Sequence, residues 1–356
     1  MLETLTQQLA GREDLSAAHI QAAVAHLTDE GVAAEIKADF LVALANKGES
    51  PGEIAAFAAA LREKSIPPPI DPDWRAAREI LDVVGTGGDH LSTFNISTTV
   101  AILCAAAGVA VAKHGNRAVT SSVGSADVIE TLGIRTDLSP AEAAASLQER
   151  NFAFFFAPNF HPAFKHIAPA RKICASRGRR TIFNILGPLL NPARPSAMLV
   201  GVPRPELCEP MARALQTLGV RRGLVASGEV GEWKTESGRY LDELSTLGNS
   251  HIAEFYQERG FHASVLGWEQ FPLGPATLAD LRGGDKHVNA GIIQGILRGG
   301  ERGPKREAVL LNAAAALFVA GRCQSLAAGW TLAEETIEGG QAGAKLAELA
   351  DAGGKG

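Results

Sequence analysis

The chain has 356 residues, 46% of them hydrophobic, which is enough to bury the cores of two domains. The net charge of -5 argues against a broad nucleic-acid-binding surface. No apolar run reaches the roughly 18–20 residues that span a bilayer, and the polar N-terminus does not resemble a signal peptide. Because the four cysteines lack zinc-like spacing, we expect reduced thiols in a cytoplasmic protein that binds neither membrane nor nucleic acid.

The first 65 residues have apolar side chains at helical spacing. The pattern predicts three helices, over Ala17–Leu27, Ala33–Ala45 and Pro51–Glu63, after an opening helix. Asp14 or Ser16 can cap the first of the three, and Ser50 precedes a proline that suits a helix start. Since the proline-rich segment Pro67–Pro72 cannot be helical, we predict a helical N-terminal domain over residues 1–68.

Short apolar runs alternate with helical segments after residue 75. The predicted strands are Ile80–Val84, Val109–Ala112, Ala153–Ala157, Met198–Val202 and Gly223–Ala226. The predicted helices between the early strands are Ser97–Ala107 and about Gly124–Leu132, and the chain is mostly helical from Pro275 onward. This alternation predicts an α/β domain over residues 75–356, with a mostly parallel sheet flanked by helices.

A glycine-rich loop, Gly85–Asp89, follows the first predicted strand. Ligands of open α/β sheets bind beyond the carboxyl ends of the strands, and glycines there let backbone N–H groups approach phosphate oxygens. Ser97 and Thr98 add hydroxyl groups at the next helix start, although they could equally cap that helix. A dinucleotide site is a weaker alternative, because GTGGDH lacks the last glycine of that motif and the second strand leads into Lys113, not into an acidic residue.

A second polar loop is predicted to follow the second strand and runs from Lys113 to Ser125. It contains two cations, several hydroxyl groups and two glycines. A solvated connection is the alternative interpretation, but adjacent parallel strands should place this loop beside Gly85–Asp89. Together the two loops predict a polyphosphate site.

Five motifs occur in the order typical of anthranilate phosphoribosyltransferases: VGTGGD, TFNIST, KHGNRAVTSSVGSAD, APNFHPAFK and RTIFNILGPLLNP. The chain resembles that family over nearly its whole length. The resemblance implies a pentosyltransferase of tryptophan biosynthesis, which moves the 5-phosphoribosyl group from phosphoribosyl pyrophosphate (PRPP) to anthranilate and releases pyrophosphate. It also implies Mg²⁺, a homodimer, and a helical domain completed by a helical segment near residues 165–185.

The resemblance assigns site residues but no acid or base. The PRPP site would comprise Gly85, Gly88, Asp89, Thr93, Asn95, Ile96, Ser97, Thr98, Lys113, His114, Gly115, Asn116, Arg117, Ala118, Val119, Thr120, Ser121 and Ser125. The anthranilate site would comprise Gly85, His114, Asn116, His161 and Arg171. The metal site would comprise Ser97, Asp242 and Glu243. These types suit their ligands, because arginine binds a carboxylate through two hydrogen bonds and magnesium prefers hard oxygen ligands.

The stretch before the acidic pair departs from the family pattern. The strand ends at Val225–Gly228, and a longer polar loop, Glu229–Tyr240, precedes Asp242. One alternative is therefore a paralogue that uses the same donor with a different amine or base, although Asn116 and Arg171 favour anthranilate. A non-enzymatic nucleic-acid-binding relative and a nucleoside phosphorylase are further alternatives, which the intact phosphate loops and the negative charge make weaker.

Overall fold

The computed structural model describes residues 1–118, 123–231, 240–257 and 260–353. Its helices are α1 (Leu2–Ala10), α2 (Ala17–Leu27), α3 (Ala34–Lys47), α4 (Pro51–Glu63), α5 (Pro72–Ala76), α6 (Ile96–Ala106), α7 (Ser125–Thr131), α8 (Pro140–Arg150), α9 (Ala157–Phe160), α10 (Ala168–Ser176), α11 (Cys208–Thr217), α12 (Lys286–Leu297), α13 (Pro304–Val319), α14 (Leu326–Glu338) and α15 (Gln341–Gly353). Its strands are β1 (Ile80–Gly85), β2 (Ala110–Gly115), β3 (Phe152–Phe156), β4 (Ala197–Gly201), β5 (Arg222–Glu229), β6 (Tyr240–Leu241), β7 (Ser250–Tyr256) and β8 (Gly260–Leu266).

The helices predicted near the N-terminus are confirmed, and local capping accounts for their starts. The Ser16 side chain accepts a hydrogen bond from a backbone N–H of α2, which begins where predicted. Ser50 and Glu53 cap α4 reciprocally. The buried Glu53 carboxylate also accepts hydrogen bonds from the Leu15 backbone N–H (2.9 Å) and from Lys47 Nζ (2.7 Å). One carboxylate therefore joins the start of α4 to α3 and to the segment between α1 and α2.

The sheet has the order β3-β2-β1-β4-β5-β7-β8, with β6 paired to β5. The strands from β3 to β5 are parallel, which confirms the predicted α/β fold. The antiparallel strands β7 and β8 were not predicted from the sequence. Their SHIAEFY and GFHASVL segments mix polar and apolar residues, and β8 is largely exposed at the sheet edge, so neither segment has the apolar run of a buried strand.

Two large apolar clusters cover the faces of the sheet. One contains α6 and the C-terminal helices α12–α15. The other joins α1–α4 to α10, to buried residues between 182 and 190, and to α11. The segment after α9 therefore packs with the N-terminal helices, and this packing holds residues 161–191 near the carboxyl ends of β1 and β2. Within the described ranges, no helix is long and apolar enough to cross a membrane.

Candidate active site

Lys113 lies in strand β2, so its placement in the following loop was wrong. β2 continues to Gly115, and the Lys113 side chain is buried. Its Nζ donates hydrogen bonds to the Val83 carbonyl oxygen of β1 (2.5 Å) and to Ser97 Oγ (3.2 Å). Burial lowers the pKa of Lys113, while the carboxylates of Asp82 and Glu243 oppose that effect. These neighbouring carboxylates explain how a charged lysine can be buried in a strand of the sheet.

The start of α6 contradicts the alternative that Ser97 and Thr98 serve only as helix caps. The helix begins at Ile96 with Asn95 as its N-cap, and the Asn95 side chain makes no capping hydrogen bond. The Ser97 hydroxyl instead accepts the hydrogen bond from Lys113. The buried Thr98 Oγ1 has no hydrogen-bond partner among the described residues. The Ser97 hydroxyl therefore binds Lys113 and does not cap the backbone N–H groups at the start of α6.

Asp242 and Glu243 reach the glycine-rich loop from a distant part of the chain. Asp242 Oδ2 accepts a hydrogen bond from the Gly87 backbone N–H (2.7 Å), and Glu243 Oε1 accepts one from the Ser97 backbone N–H (3.2 Å). Burial, and then repulsion from Asp89, raises the pKa of Asp242 to about 7. Burial and the neighbouring Asp242 raise the pKa of Glu243 well above its usual range. The pair thus brings an excess of negative charge to the end of β1.

Three glycines make room for the acidic pair where β1, β4 and β5 end. A Cβ at Gly85 would overlap the Asp242 carboxylate, and one at Gly201 would overlap the Asp242 carbonyl group. A Cβ at Gly228 would lie 2.6 Å from the Glu243 carbonyl oxygen. The segment that carries the acidic pair therefore crosses these strand ends so closely that only glycine fits beneath it. Gly85 was predicted to contact ligands, and the roles of Gly201 and Gly228 were not predicted from the sequence.

The longer loop before the acidic pair does not move the pair away from the site. Its ends are held in the sheet, because Glu229 pairs with Tyr240 and Gly228 with Leu241 in an antiparallel ladder. Asp242 follows this ladder directly. The departure from the family pattern thus lies within a connection whose ends are fixed.

The donor chemistry of the acidic pair fits magnesium. Among the described residues, no group of three or more histidine, cysteine, aspartate or glutamate side chains is arranged to hold a metal by itself. Two buried carboxylates with raised pKa values are nevertheless poorly compensated by Lys113 alone. A divalent cation shared with substrate phosphates would relieve this excess charge, and Mg²⁺ is commonly held by one or two carboxylates together with phosphates.

The remaining residues of the first loop lie at the same end of the sheet. Asp89 Oδ1 accepts a hydrogen bond from the Leu91 backbone N–H (3.1 Å), and Thr93 forms an isolated β-bridge. Gly88 has a φ of +86°, which favours glycine. Asn95 Oδ1 accepts a hydrogen bond from Asn289 Nδ2 (3.0 Å), a partner that was not predicted from the sequence. This bond leaves the NH₂ group of Asn95 as the donor available to a ligand.

The second loop is described only in part, and the predicted ligands Val119, Thr120 and Ser121 lie outside the described residues. The exposed Arg117 guanidinium pairs with Asp127 (3.1 Å) and Glu130 (2.7 Å) of α7. The other described members also make contacts within this region, namely Gly115 against Ser125, Asn116 Oδ1 with the Arg117 N–H, Ala118 N–H with Asp127, and Ser125 Oγ with the Asn116 carbonyl. The Arg117 side chain therefore fastens the loop to α7 in this structure.

An aromatic surface extends from the end of β2 to Arg171. The His114 and His161 rings lie 5.4 Å apart, His161 and Phe164 5.0 Å, and Phe164 and Phe183 6.0 Å, measured between ring centroids. The Arg171 guanidinium carbon lies 5.5 Å from the Phe183 ring centroid. Neither phenylalanine was identified from the sequence, although both lie inside the quoted motifs. His114, His161 and Phe183 are buried, whereas Phe164 and Arg171 are partly exposed, so an aromatic carboxylate would meet this surface at Phe164 and place its charge at the guanidinium.

A buried network beneath the site was also missed. Asn191 Nδ2 donates hydrogen bonds to Asp82 Oδ2 (2.9 Å) and to the Ala112 carbonyl oxygen (2.7 Å). Burial raises the pKa of Asp82 to about 6. The network ties β1 and β2 to the RTIFNILGPLLNP segment. The sequence signal that could have indicated this network is an asparagine at the end of an apolar run.

The two buried histidines make a destabilising contribution in mild acid. Burial lowers the pKa of His114 to about 3 and that of His161 to about 4, and neither Nε2 has a hydrogen-bond partner among the described residues. Between about pH 4 and 6.5 these two histidines bind protons in the unfolded chain but not in the folded chain, so their contribution to the free energy of unfolding falls as pH falls. The raised pKa values of Asp82, Asp242 and Glu243 act in the opposite direction over the same range, so the histidine effect is read from the difference between the native chain and a variant. The shift at His161 corresponds to about 3 kcal/mol. Urea unfolding at several pH values measures this slope.

Between pH 6.5 and 4 the variant His161→Phe should lose less stability, or gain more, than the native chain, because it removes one of the two histidines that bind a proton only in the unfolded state. His287→Gln is the matched control, since His287 is exposed on α12. An acid slope unchanged by His161→Phe would contradict the role assigned to burial.

Comparisons with known proteins agree over nearly the full length. Residues 3–65 match the family described as "Glycosyl transferase family, helical bundle domain", and residues 77–343 match "Glycosyl transferase family, a/b domain". Anthranilate phosphoribosyltransferase 2 of Streptomyces coelicolor is 45% identical, covering 91% of this chain and 90% of the relative. Anthranilate phosphoribosyltransferase from Thermus thermophilus has a TM-score of 0.86 at 40% identity, covering 98% of both chains. The Saccharomyces cerevisiae enzyme in complex with PRPP and Mg has a TM-score of 0.84 at 27% identity, covering 99% of this chain and 98% of that one.

Proposed function

Since the chain belongs to the anthranilate phosphoribosyltransferase family, we propose that it transfers the 5-phosphoribosyl group of PRPP to anthranilate, releases pyrophosphate, and so serves tryptophan biosynthesis. The observation that carries the proposal is the meeting of Lys113, Ser97 and the Asp242–Glu243 pair at the glycine-rich loop. The aromatic surface leading to Arg171 supports the acceptor.

The PRPP side of the site binds and stabilises the departing pyrophosphate. Loop residues Gly87 and Gly88 have φ values of +73° and +86°, and the absence of side chains there lets pyrophosphate approach the loop backbone closely. Asp242, Glu243 and Ser97 would hold magnesium, which would supply positive charge to the pyrophosphate oxygens. Lys113 adds a fixed cation that needs no rearrangement as charge builds on the leaving group.

The acceptor side orients the amine. Arg171 binds the anthranilate carboxylate through two hydrogen bonds, and burial lowers the pKa of Arg171 without removing its charge near neutral pH. His114 and His161 are neutral and continue the aromatic surface beyond Phe164. The amine nitrogen attacks the anomeric carbon as its bond to the pyrophosphate oxygen breaks, and holding both substrates in this geometry supplies much of the rate enhancement. No side chain acts as a nucleophile, and none is assigned to accept the amine proton.

The reaction is tested by following anthranilate fluorescence in the presence of PRPP and Mg²⁺. We expect turnover by the native chain, and a rise of about 100-fold in the KM for anthranilate in Arg171→Ala, since hydrogen bonds to charged groups contribute about 1.5–3 kcal/mol. The KM for PRPP should change little. Arg177→Ala is the control, because Arg177 lies just after α10 but pairs with Asp39 on the surface.

Failure of the test has two distinct forms. Magnesium-dependent PRPP binding without anthranilate turnover would establish the paralogue with another acceptor. Absence of PRPP binding would overturn the donor assignment itself.

We also propose that the protein acts in the cytoplasm as a homodimer associated through a domain formed by residues 1–68 and 165–185. The packing of α10 with α1–α4 in one apolar cluster supports that division of the chain. Sedimentation equilibrium at micromolar concentration measures the assembly.

A further inference from the structure

Arg180 reaches the glycine-rich loop from the opposite wall of the site. It lies between α10 and a short 3₁₀-helix, Ile182–Asn184, whose buried residues pack in the same apolar cluster as α1–α4. Its Nη2 lies 3.2 Å from the Gly88 carbonyl oxygen and 3.1 Å from His90 Nε2. The side chain therefore connects the helical layer to the loop that follows β1.

The guanidinium lies in van der Waals contact with the face of this loop. A Cβ placed on Gly88 would come within 3.8 Å of both terminal nitrogens of Arg180. Any larger residue at Gly88 would also adopt a strained backbone, since φ there is +86°. The glycine thus permits the loop conformation, and the Arg180 guanidinium lies at ordinary van der Waals distance from the position of such a Cβ.

The charge of Arg180 has no anionic partner among the described residues. Its two hydrogen-bond contacts are with a carbonyl oxygen and an imidazole nitrogen, and neither partner is a carboxylate. Arg117 and Arg177, by contrast, pair with carboxylates. A guanidinium carries five N–H donors, so most of those of Arg180 remain available to an anion.

We propose that Arg180 binds the pyrophosphate group of the donor from the helical side of the site, and so draws the helical layer against the phosphate loop. This proposal rests on the proposed function, which places pyrophosphate at Gly85–Asp89. Phosphate oxygens are stronger acceptors than a carbonyl group, and the planar guanidinium matches them through two parallel hydrogen bonds. When pyrophosphate binds, Arg180 replaces its hydrogen bonds to Gly88 and His90 with stronger, charge-assisted hydrogen bonds to phosphate oxygens. The residue was absent from the site predicted from the sequence.

The proposal is tested with Arg180→Ala in the full-length protein. We expect the KM for PRPP and the inhibition constant for inorganic pyrophosphate to rise together by about 10- to 100-fold, as loss of a charge-assisted hydrogen bond predicts. The KM for anthranilate should stay within about twofold. Arg180→Lys should recover part of the loss, because it restores the charge but not the paired geometry.

Two controls separate ligand binding from loop support. Arg179→Ala removes the adjacent exposed arginine and should leave all three constants unchanged. His90→Ala removes the imidazole partner of Arg180 and should have a small effect, whereas a purely structural contact would make it resemble Arg180→Ala. The proposal is overturned if Arg180→Ala binds PRPP and pyrophosphate as the native chain does, or if His90→Ala matches its defect. Failure of the proposed function would give a different result, because then the native chain itself would not bind PRPP.

Discussion

Replacing Lys113 by methionine is expected to lower kcat/KM for PRPP by about 10³-fold, the size of effect seen when a preorganised charge at a reacting centre is removed. The Nζ of this buried lysine bridges the end of β1 to Ser97, and the side chain opposes the charge of Asp82 and Glu243. Methionine has a similar length but no charge. Without the cation, buried carboxylates would repel the incoming phosphates. Steady-state kinetics at saturating anthranilate and Mg²⁺ measure the change.

Lys37→Met is a matched control for the loss of a buried lysine. Lys37 is 2% exposed, as is Lys113, and its Nζ donates hydrogen bonds to the carbonyl oxygens of Asp29 (2.6 Å) and His166 (2.9 Å). Both variants should melt at lower temperature than the native chain, since each leaves buried acceptors unpaired. Only Lys113→Met should lose catalysis. A kcat/KM for that variant within tenfold of native would contradict the assignment.

Gly201→Ala is expected to raise the Mg²⁺ concentration for half-maximal activity by about 100-fold, because a misplaced functional group can lower rate by that factor. The added Cβ would overlap the Asp242 carbonyl group and lie 3.0 Å from the Glu243 nitrogen. Because these are backbone atoms, the segment that carries Asp242 and Glu243 must move away from β4. The two carboxylates would then lose their hydrogen bonds to the Gly87 and Ser97 backbone N–H groups. Magnesium titrations of activity, together with calorimetry of Mg²⁺–PRPP binding, measure the result.

The control for Gly201→Ala is Gly291→Ala, since a Cβ on Gly291 in α12 would meet no atom within 4 Å. That variant should keep its magnesium response and its thermal stability. If Gly201→Ala had the same magnesium dependence as the native chain, magnesium binding by Asp242 and Glu243 would not depend on their backbone contact with β4.

The local pattern of the chain was sufficient to predict most of the elements, for reasons visible in individual segments. Ala17–Leu27 combines helical spacing with a serine cap, and both act within a few residues of the helix. The apolar runs of β1, β3 and β4 are typical of strands buried on both faces. β8 escaped prediction because an exposed edge strand needs no such run. The roles of Arg171 and Asn116 stay predictions, since the resemblance, not the pattern, assigned them.

The sequence by itself determined that this protein has a helical N-terminus, an α/β sheet and two polar loops after neighbouring strands, because these features depend on residues close together in the chain. Only the tertiary structure decided that Lys113 is a buried strand residue, that Ser97 is its partner, and that Asp242 lies against Gly201. It alone brought Arg180 to Gly88. Contacts between residues so far apart in the chain depend on how layers pack, and packing leaves no periodic signal in either segment.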